Sequence, residues 1–279
     1  MEGRVAFLRA CALDVAVRKP GNVSHASPGH GMQAEQFIAS AAAAAAPLFQ
    51  PGARIGQRIE GAVRATQAAA GCNTNLGILL LCAPLAAAAE AGRATPLREA
   101  IEAQLAALDL DDASAAFRAI ALARPGGLGA APEQDVNTAP TLDLRAAMAL
   151  AADRDRIALQ YRAGFVELFA IGLASLPQGF SLDEGRPDSA TTAAVQRLYL
   201  AWLASAPDTH IVRKHGPAVA QIVMTAAQDW AWRADAGTRL DSHPGFVAWD
   251  QDLKAHDVNP GTSADLTVAT LLLSALLAA

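Results

Sequence analysis

Residues 141–175 read TLDLRAAMALAADRDRIALQYRAGFVELFAIGLAS. Leu144, Met148, Ala151 and Ala152 recur at helical spacing, and Ile157, Tyr161, Phe165 and Phe169 continue the stripe. The spacing predicts one long helix over 141–175, kinked or split near Gly164. The same period recurs outward along the chain, at Ile55, Ile59 and Val63, and again at Leu198, Trp202 and Leu203. Alanine makes up about a quarter of the 279 residues, and alanine and leucine both favour helix. Aromatics are 5%, and period-two runs of β-branched residues are scarce. The expectation is an all-α fold, a single compact multi-helix domain over 1–279 with about ten helices. Their approximate bounds are 2–17, 33–46, 53–70, 76–91, 95–107, 111–123, 141–175, 189–205, 210–233, 239–256 and 262–278. Two longer loops, 124–140 and 176–188, are too short and too apolar to divide the chain.

Hydrophobic residues at 52% and charged residues at 18% supply ample core material and exclude global disorder. A net charge of -5 without a basic block argues against a nucleic-acid partner. Cys11, Cys72 and Cys82 have no CxxC spacing, so neither a disulfide framework nor a zinc ribbon is expected, and free thiols fit a reducing cytoplasm. The apolar runs Leu76–Ala89 and Leu266–Ala279 fall short of the ~20 residues that span a bilayer, so no membrane segment is expected. The alanine-rich faces would suit a homodimer.

Polar residues are few, and they gather at helix ends. One cluster holds Lys19, Asn22, Ser24, His25 and His30; a second is Cys72-Asn73-Thr74-Asn75-Leu76-Gly77. A third runs from Asp208 to Gly216, and a fourth from Asn259 to Asp265. Asn73, Thr74 and Asn75 precede an apolar helix. A single cap would explain one of them, whereas three in succession suit a ligand held at a helix N-terminus, where amides and dipole favour an anion. Thr262 with Asp265 reads first as a capping pair. His210, Arg213, Lys214 and His215 form a cationic patch on an acidic chain, which suggests an anionic ligand. The run Asp153-Arg154-Asp155-Arg156 reads as a solvated, salt-bridged helix face. Asp135, in a loop with no helix to cap, is the more suggestive acid. No P-loop, GxGxxG, GxSxG, HExxH or EF-hand pattern occurs, so a nucleotide would need another scaffold.

Taken together, these loops resemble the triphosphoribosyl-dephospho-CoA synthase family. The resemblance rests on KPGNVS at 19–24, GHGM at 29–32, CNTNLG at 72–77, the PGGLG stretch at 125–129, Asp135-Val136, RDRIALQYRAGFVELF at 154–169, DTHIVRKHG at 208–216 and NPGTSADL at 259–266. It implies that ATP donates its triphosphoribosyl group to the 2′-hydroxyl of 3′-dephospho-CoA and that adenine is released. On that reading Lys19, Arg213 and Lys214 bind triphosphate, and Asn22, Ser24, Asn73, Thr74, Asn75, His215, Asn259 and Ser263 bind substrate. Asp135, Asp155 and Asp265 are implied as Mg²⁺ ligands, Asp135 and Asp265 also as catalytic groups, and His30 and His210 as proton carriers. The chain differs from lyase-associated relatives at His30-Gly31-Met32, where they carry His-Asp-Met or His-x-Asp-Met. It differs again at Asn75-Leu76, where they carry His-Lys or His-Arg. These differences resemble the branch found in methanogens and in bacteria that use tetrahydromethanopterin or methanofuran. They imply a second acceptor class, a precursor of a one-carbon carrier. A binding protein that kept the scaffold but lost catalysis is a third reading, and the retained Lys19, Asn73, Asp135, Arg213 and Asp265 count against it.

Overall fold

The protein is described from a computed structural model over residues 3–92, 94–126, 133–182 and 187–279. Among these residues it is helical throughout, with only two isolated β-bridges, Ser24 with Ser27 and Gly29 with Met32. Six helices open the chain: α1 (Gly3–Ala16), α2 (Ala34–Leu48), α3 (Ile55–Ala70), α4 (Leu76–Ala89), α5 (Leu97–Ala106) and α6 (Leu110–Ala123). They fall close to their expected bounds. Gly127, Leu128 and Gly129 of the glycine-rich motif lie outside the described residues.

The long helix expected over 141–175 is instead three pieces: α7 (Leu144–Ala151), α8 (Arg156–Ala163) and a π-helical segment, Leu168–Leu173. Two local causes break it. Asp155 caps α8 by accepting from the amides of Ile157 and Ala158, at 2.9 and 3.1 Å, so the chain restarts there. Gly164 and Phe165 then adopt left-handed φ values of 65° and 58°. Of the solvated face expected for 153–156, Asp153 and Arg154 are exposed, Asp153 pairing with Arg162. Arg156 is buried, donates to Glu167 and to the Trp202 carbonyl, and lies 4.8 Å over the Trp202 ring.

The C-terminal half comprises α9 (Ser189–Ser205), α10 (Thr209–His215), α11 (Pro217–Asp235), α12 (Pro244–Ala255) and α13 (Gly261–Ala278). The helix expected over 210–233 divides at Gly216, whose φ is 86°, and Pro217 opens α11 where no amide hydrogen is needed. The helix expected over 239–256 starts at Pro244, capped by the His243 ring.

Two helices form the centre. α4 is buried at every residue from Leu76 to Ala88, as an all-round apolar helix must be. It packs on α13, which is long and apolar enough to cross a membrane by length and composition but is 67% buried inside the protein. The bundle around this pair splits into two apolar clusters. Leu198 and Trp202 of α9 face one of them, and Tyr199 and Leu203 face the other.

At the end of this centre three helix N-termini are laced together. Asp208, 2% exposed, accepts at Oδ1 from the amides of His210 and Ile211 in α10, at 2.9 and 3.2 Å. Its Oδ2 accepts from the Ser263 amide and hydroxyl in α13, both at 2.8 Å. The Thr209 hydroxyl accepts from the first amide of α8, on Arg156, at 3.3 Å and shares a hydrogen with the Thr262 hydroxyl at 3.0 Å.

Pro84 sits in the middle of α4 and has no amide hydrogen to give the Leu80 carbonyl one turn back. The Tyr161 hydroxyl fills that role from α8, donating to the Leu80 carbonyl at 2.6 Å. Burial pushes the Tyr161 phenol well up, so it stays protonated as the donor. Replacing Tyr161 with Phe should therefore cost about 1–3 kcal/mol in urea unfolding, the penalty of an unmet buried carbonyl. Adding Pro84→Ala in that background returns an amide hydrogen to the same carbonyl and should recover most of the loss. A Tyr161→Phe variant as stable as wild type would contradict this account.

Candidate functional site

A cavity of about 430 Å³ opens where the N-terminal ends of α4, α8, α10 and α13 approach one another. Asn22, Asn73, Thr74, Asn75, Asp135, Asp155, His210, Arg213, Asn259 and Asp265, dispersed over the sequence, all line it. Leu76, Ile78, Phe117 and Met148 supply an apolar wall.

The N-terminus of α4 shows how the polar triplet divides its work. Asn73 is the residue that caps, accepting from the Leu76 amide at 3.1 Å. Thr74 donates to the Ser40 hydroxyl at 2.7 Å, and Asn75 Oδ1 accepts from Thr66 at 3.2 Å. That leaves Asn75 Nδ2 buried without a partner. Similar atoms recur around the wall. Of the buried side-chain atoms that lack a hydrogen-bond partner among the described residues, four without an ion-pair partner belong to this cavity: Asn22 Oδ1, Asn75 Nδ2, His210 Nε2 and Arg213 Nε. Such atoms are costly in a closed protein, and their concentration in one place marks a site built to be filled.

Asp265 projects from α13 into the space above Gly77. A Cβ on Gly77 would lie 2.0 Å from Asp265 Oδ2 and 2.6 Å from Ile157 Cδ1, so glycine is what lets the carboxylate sit against α4. No hydrogen-bond donor among the described residues meets that carboxylate. Burial, then the neighbouring Asp14, Asp208 and Asp155 charges, push the Asp265 carboxyl well up, with Arg213 opposing them. Asp14, 3% exposed on α1, faces the same cavity, and burial raises its carboxyl against the pull of Lys19. The sequence reading missed Asp14. Its signal was a lone acid inside an apolar helix.

Lys19 is fully buried and turned away from the cavity. Its ammonium donates to the Asp14 carbonyl and lies 3.0 Å from Asp14 Oδ1, so it neutralises Asp14 and cannot reach a triphosphate directly. Arg213 does face the cavity, held by Asp155 Oδ2 at 2.7 Å. Asp155 is thereby committed twice, to the α8 cap and to Arg213. Asp135 holds its own loop, accepting from the Asn137 amide at 2.8 Å and from Asn137 Nδ2 at 2.9 Å. The cationic patch divides: Lys214 and His215 turn to the Asp257 loop, at 3.6 Å from Oδ2 and 3.0 Å from the carbonyl. Ser263 is taken by Asp208, and Ser24 lies buried in the loop after α1 with its backbone paired to Ser27. His30 does not line the cavity, and both its ring nitrogens are engaged elsewhere.

His210 remains as the cavity's imidazole. Gly261 makes room for it, since a Cβ there would lie 2.7 Å from Nδ1. Burial, followed by the charges of Arg213, Lys214, His30 and His215, lowers its pKa to about 4, so the ring is neutral at pH 7. No cluster of three or more metal-ligating side chains occurs among the described residues, and Asp135, Asp155 and Asp265 are not gathered into one.

Two measurements follow from this geometry. Gly77→Ala should displace Asp265 and weaken ligand binding at least tenfold, while costing about 1–3 kcal/mol of stability, as overpacking does; calorimetric titration and urea unfolding would read both. His210 should titrate near pH 4 by NMR. Its folded pKa lies below the unfolded value of 6.5, so its share of stability is present above about 6.5 and lost as pH falls toward about 4. His210→Gln should remove that dependence, and an unchanged stability–pH curve in the variant would refute the assignment.

Comparison with known proteins gives a consistent result. A family model described as ATP:dephospho-CoA triphosphoribosyl transferase matches residues 3–279. No protein with a curated description matches the chain. Among solved structures, the fold is similar to that of an Archaeoglobus fulgidus protein provisionally described as a triphosphoribosyl-dephospho-CoA synthase. The TM-score is 0.65 at 23% identity, over 85% of this chain and 98% of that one.

Proposed function

The chain belongs to the ATP:dephospho-CoA triphosphoribosyl transferase family, a family of transferases, and we propose that it moves the triphosphoribosyl group of ATP onto the 2′-hydroxyl of 3′-dephospho-CoA. The observation that carries this reading is the concentration of unpartnered polar atoms in one cavity beside the converging helix ends. The hydroxyl oxygen bonds to C1′ of the ATP ribose as the C1′–N9 bond breaks. The bonding pair stays with adenine, which takes up a proton, and the hydroxyl proton passes to a base.

Residues of the cavity meet most of these demands. Arg213, fixed by Asp155, faces the triphosphate, and the positive ends of the surrounding helices add to its field. His210 is neutral and has Nε2 unpaired, so it can take the hydroxyl proton. The unpaired Asn75 Nδ2 and Asn22 Oδ1 would orient ribose or base. Asp265 suits Mg²⁺: its carboxyl, pushed up by burial and by the Asp14 charge facing the same cavity, would gain from a nearby cation. Mg²⁺ is commonly held by one or two carboxylates plus substrate phosphates, so a larger protein cage is not required. When bound, the ion would offset the triphosphate charge.

The acceptor divides the two readings inferred from the sequence. Leu76 and Met148 in the wall suit an acceptor with an uncharged arm beside its phosphates, as dephospho-CoA has. The test is adenine release from ATP with Mg²⁺, with and without 3′-dephospho-CoA, followed by mass analysis. Adenine and a triphosphoribosyl adduct should appear only with both substrates. Asp265→Asn and Arg213→Gln should each lower kcat/KM roughly 10²-fold or more, with the fold intact. Bound ATP without adenine release would transfer the proposal to the second acceptor class.

A further inference from the structure

His30 sits in the loop after α1 with its side chain 5% exposed. Its Nε2 lies 2.7 Å from the Gly21 carbonyl oxygen, and its Nδ1 lies 2.7 Å from Asp257 Oδ1. A carbonyl oxygen can only accept, so Nε2 carries hydrogen. An ionised carboxylate can only accept, so Nδ1 carries hydrogen as well. A ring with both hydrogens is an imidazolium. The reverse arrangement would need a carboxylic acid at Asp257, whose side chain is 61% exposed with the Lys214 ammonium 3.6 Å from its other oxygen.

The cation bridges two loops. His30 and Asp257 both hold a left-handed φ of 56°, and Gly21 holds 80°. Non-glycine residues adopt that region at a cost that surrounding structure must impose. The residues next to the bridge form part of the cavity wall. Asn22 follows Gly21 and Asn259 lies two beyond Asp257; Asn22 Nδ2 donates to Asn259 Oδ1 at 3.0 Å, which leaves Asn22 Oδ1 for the cavity. Other charged groups also meet the bridge. From α10, His210 is near enough to feel the His30 charge, Lys214 faces Asp257, and His215 Nε2 lies 3.0 Å from the Asp257 carbonyl. From α12, Asp250 accepts from the Gly21 amide at 2.9 Å, and Lys254 packs on Gly29 while holding Ser27.

We propose that His30 is a positioning residue, a doubly hydrogen-bonded imidazolium that fastens Gly21 to Asp257 and so sets the Asn22–Asn259 pair in the cavity wall. Its effect on ligand binding rests on the reading of the cavity as the ATP site.

NMR of the full-length protein labelled at the histidine nitrogens separates the two claims. Both His30 ring nitrogens should show bonded hydrogen. His30→Gln, which cannot bridge the same two acceptors, should shift the Asn22 side-chain amide and bind ATP about tenfold more weakly by calorimetry, within the usual range of site coupling. Asp257→Asn keeps an oxygen that can accept from Nδ1 and should retain most of the affinity, whereas Asp257→Ala should lose as much as His30→Gln, and the double variant no more than either. A single hydrogen on the ring, or an Asn22 amide unmoved in His30→Gln, overturns the proposal. A wild type that binds no ATP, yet shows the doubly protonated ring, with the Asn22 shift in His30→Gln, overturns the cavity reading and leaves the clamp standing.

Discussion

The architecture of the site depends on Asp208. One carboxylate, almost wholly removed from water, ends two helices at once: α10 through Oδ1 and α13 through Oδ2. Both helices need an acceptor for their first amides, and each cap of this kind contributes about 0.5–2 kcal/mol. Sharing one acid fixes the distance between the helix ends as well as closing each of them. Thr209 and Thr262 extend the same lattice to α8. His210, Arg213 and Asp265 are carried on the helices that Asp208 ties, so the relative placement of imidazole, guanidinium and carboxylate follows from it.

That arrangement also explains the division of labour around the cavity. Helix N-termini favour anions, but here much of their hydrogen-bonding capacity is spent on Asp155, Asp208 and Asn73. The dipoles remain while many of the amides are taken. Specific contacts with a ligand therefore fall to side chains with unused atoms, namely Asn22, Asn75, His210 and Arg213. Lys19 acts one step back: it lets Asp14 stay buried at the wall with its charge balanced.

The sequence made the all-α class legible because its cause is local, in alanine and leucine at helical spacing. The family was legible because the short polar motifs keep their order. The breaks inside 141–175 and 210–233 were less so, since Asp155 and Gly216 act through capping and left-handed geometry while the apolar period runs on across them. In the site, ten of the residues singled out do share one cavity. The exceptions were hidden for physical reasons. Lys19 and Ser263 are absorbed by buried acids, while Lys214 and His215 face the wrong side of a short helix. Asp14 was invisible to a search for polar clusters because its neighbours in sequence are apolar, and only the packing of α1 brings it to Asp265 and Arg213.

The Pro84–Tyr161 contact carries a consequence for how such a chain can change over generations. Proline removes the ordinary donor to the Leu80 carbonyl, and a phenol eighty-one positions away replaces it. Tyrosine can be lost without penalty only after proline has gone, whereas proline can leave first and merely make the phenol redundant. Drift through this pair therefore has a preferred order. Among descendants of such a sequence, helices with a residue other than proline at 84 should be the ones in which position 161 wanders.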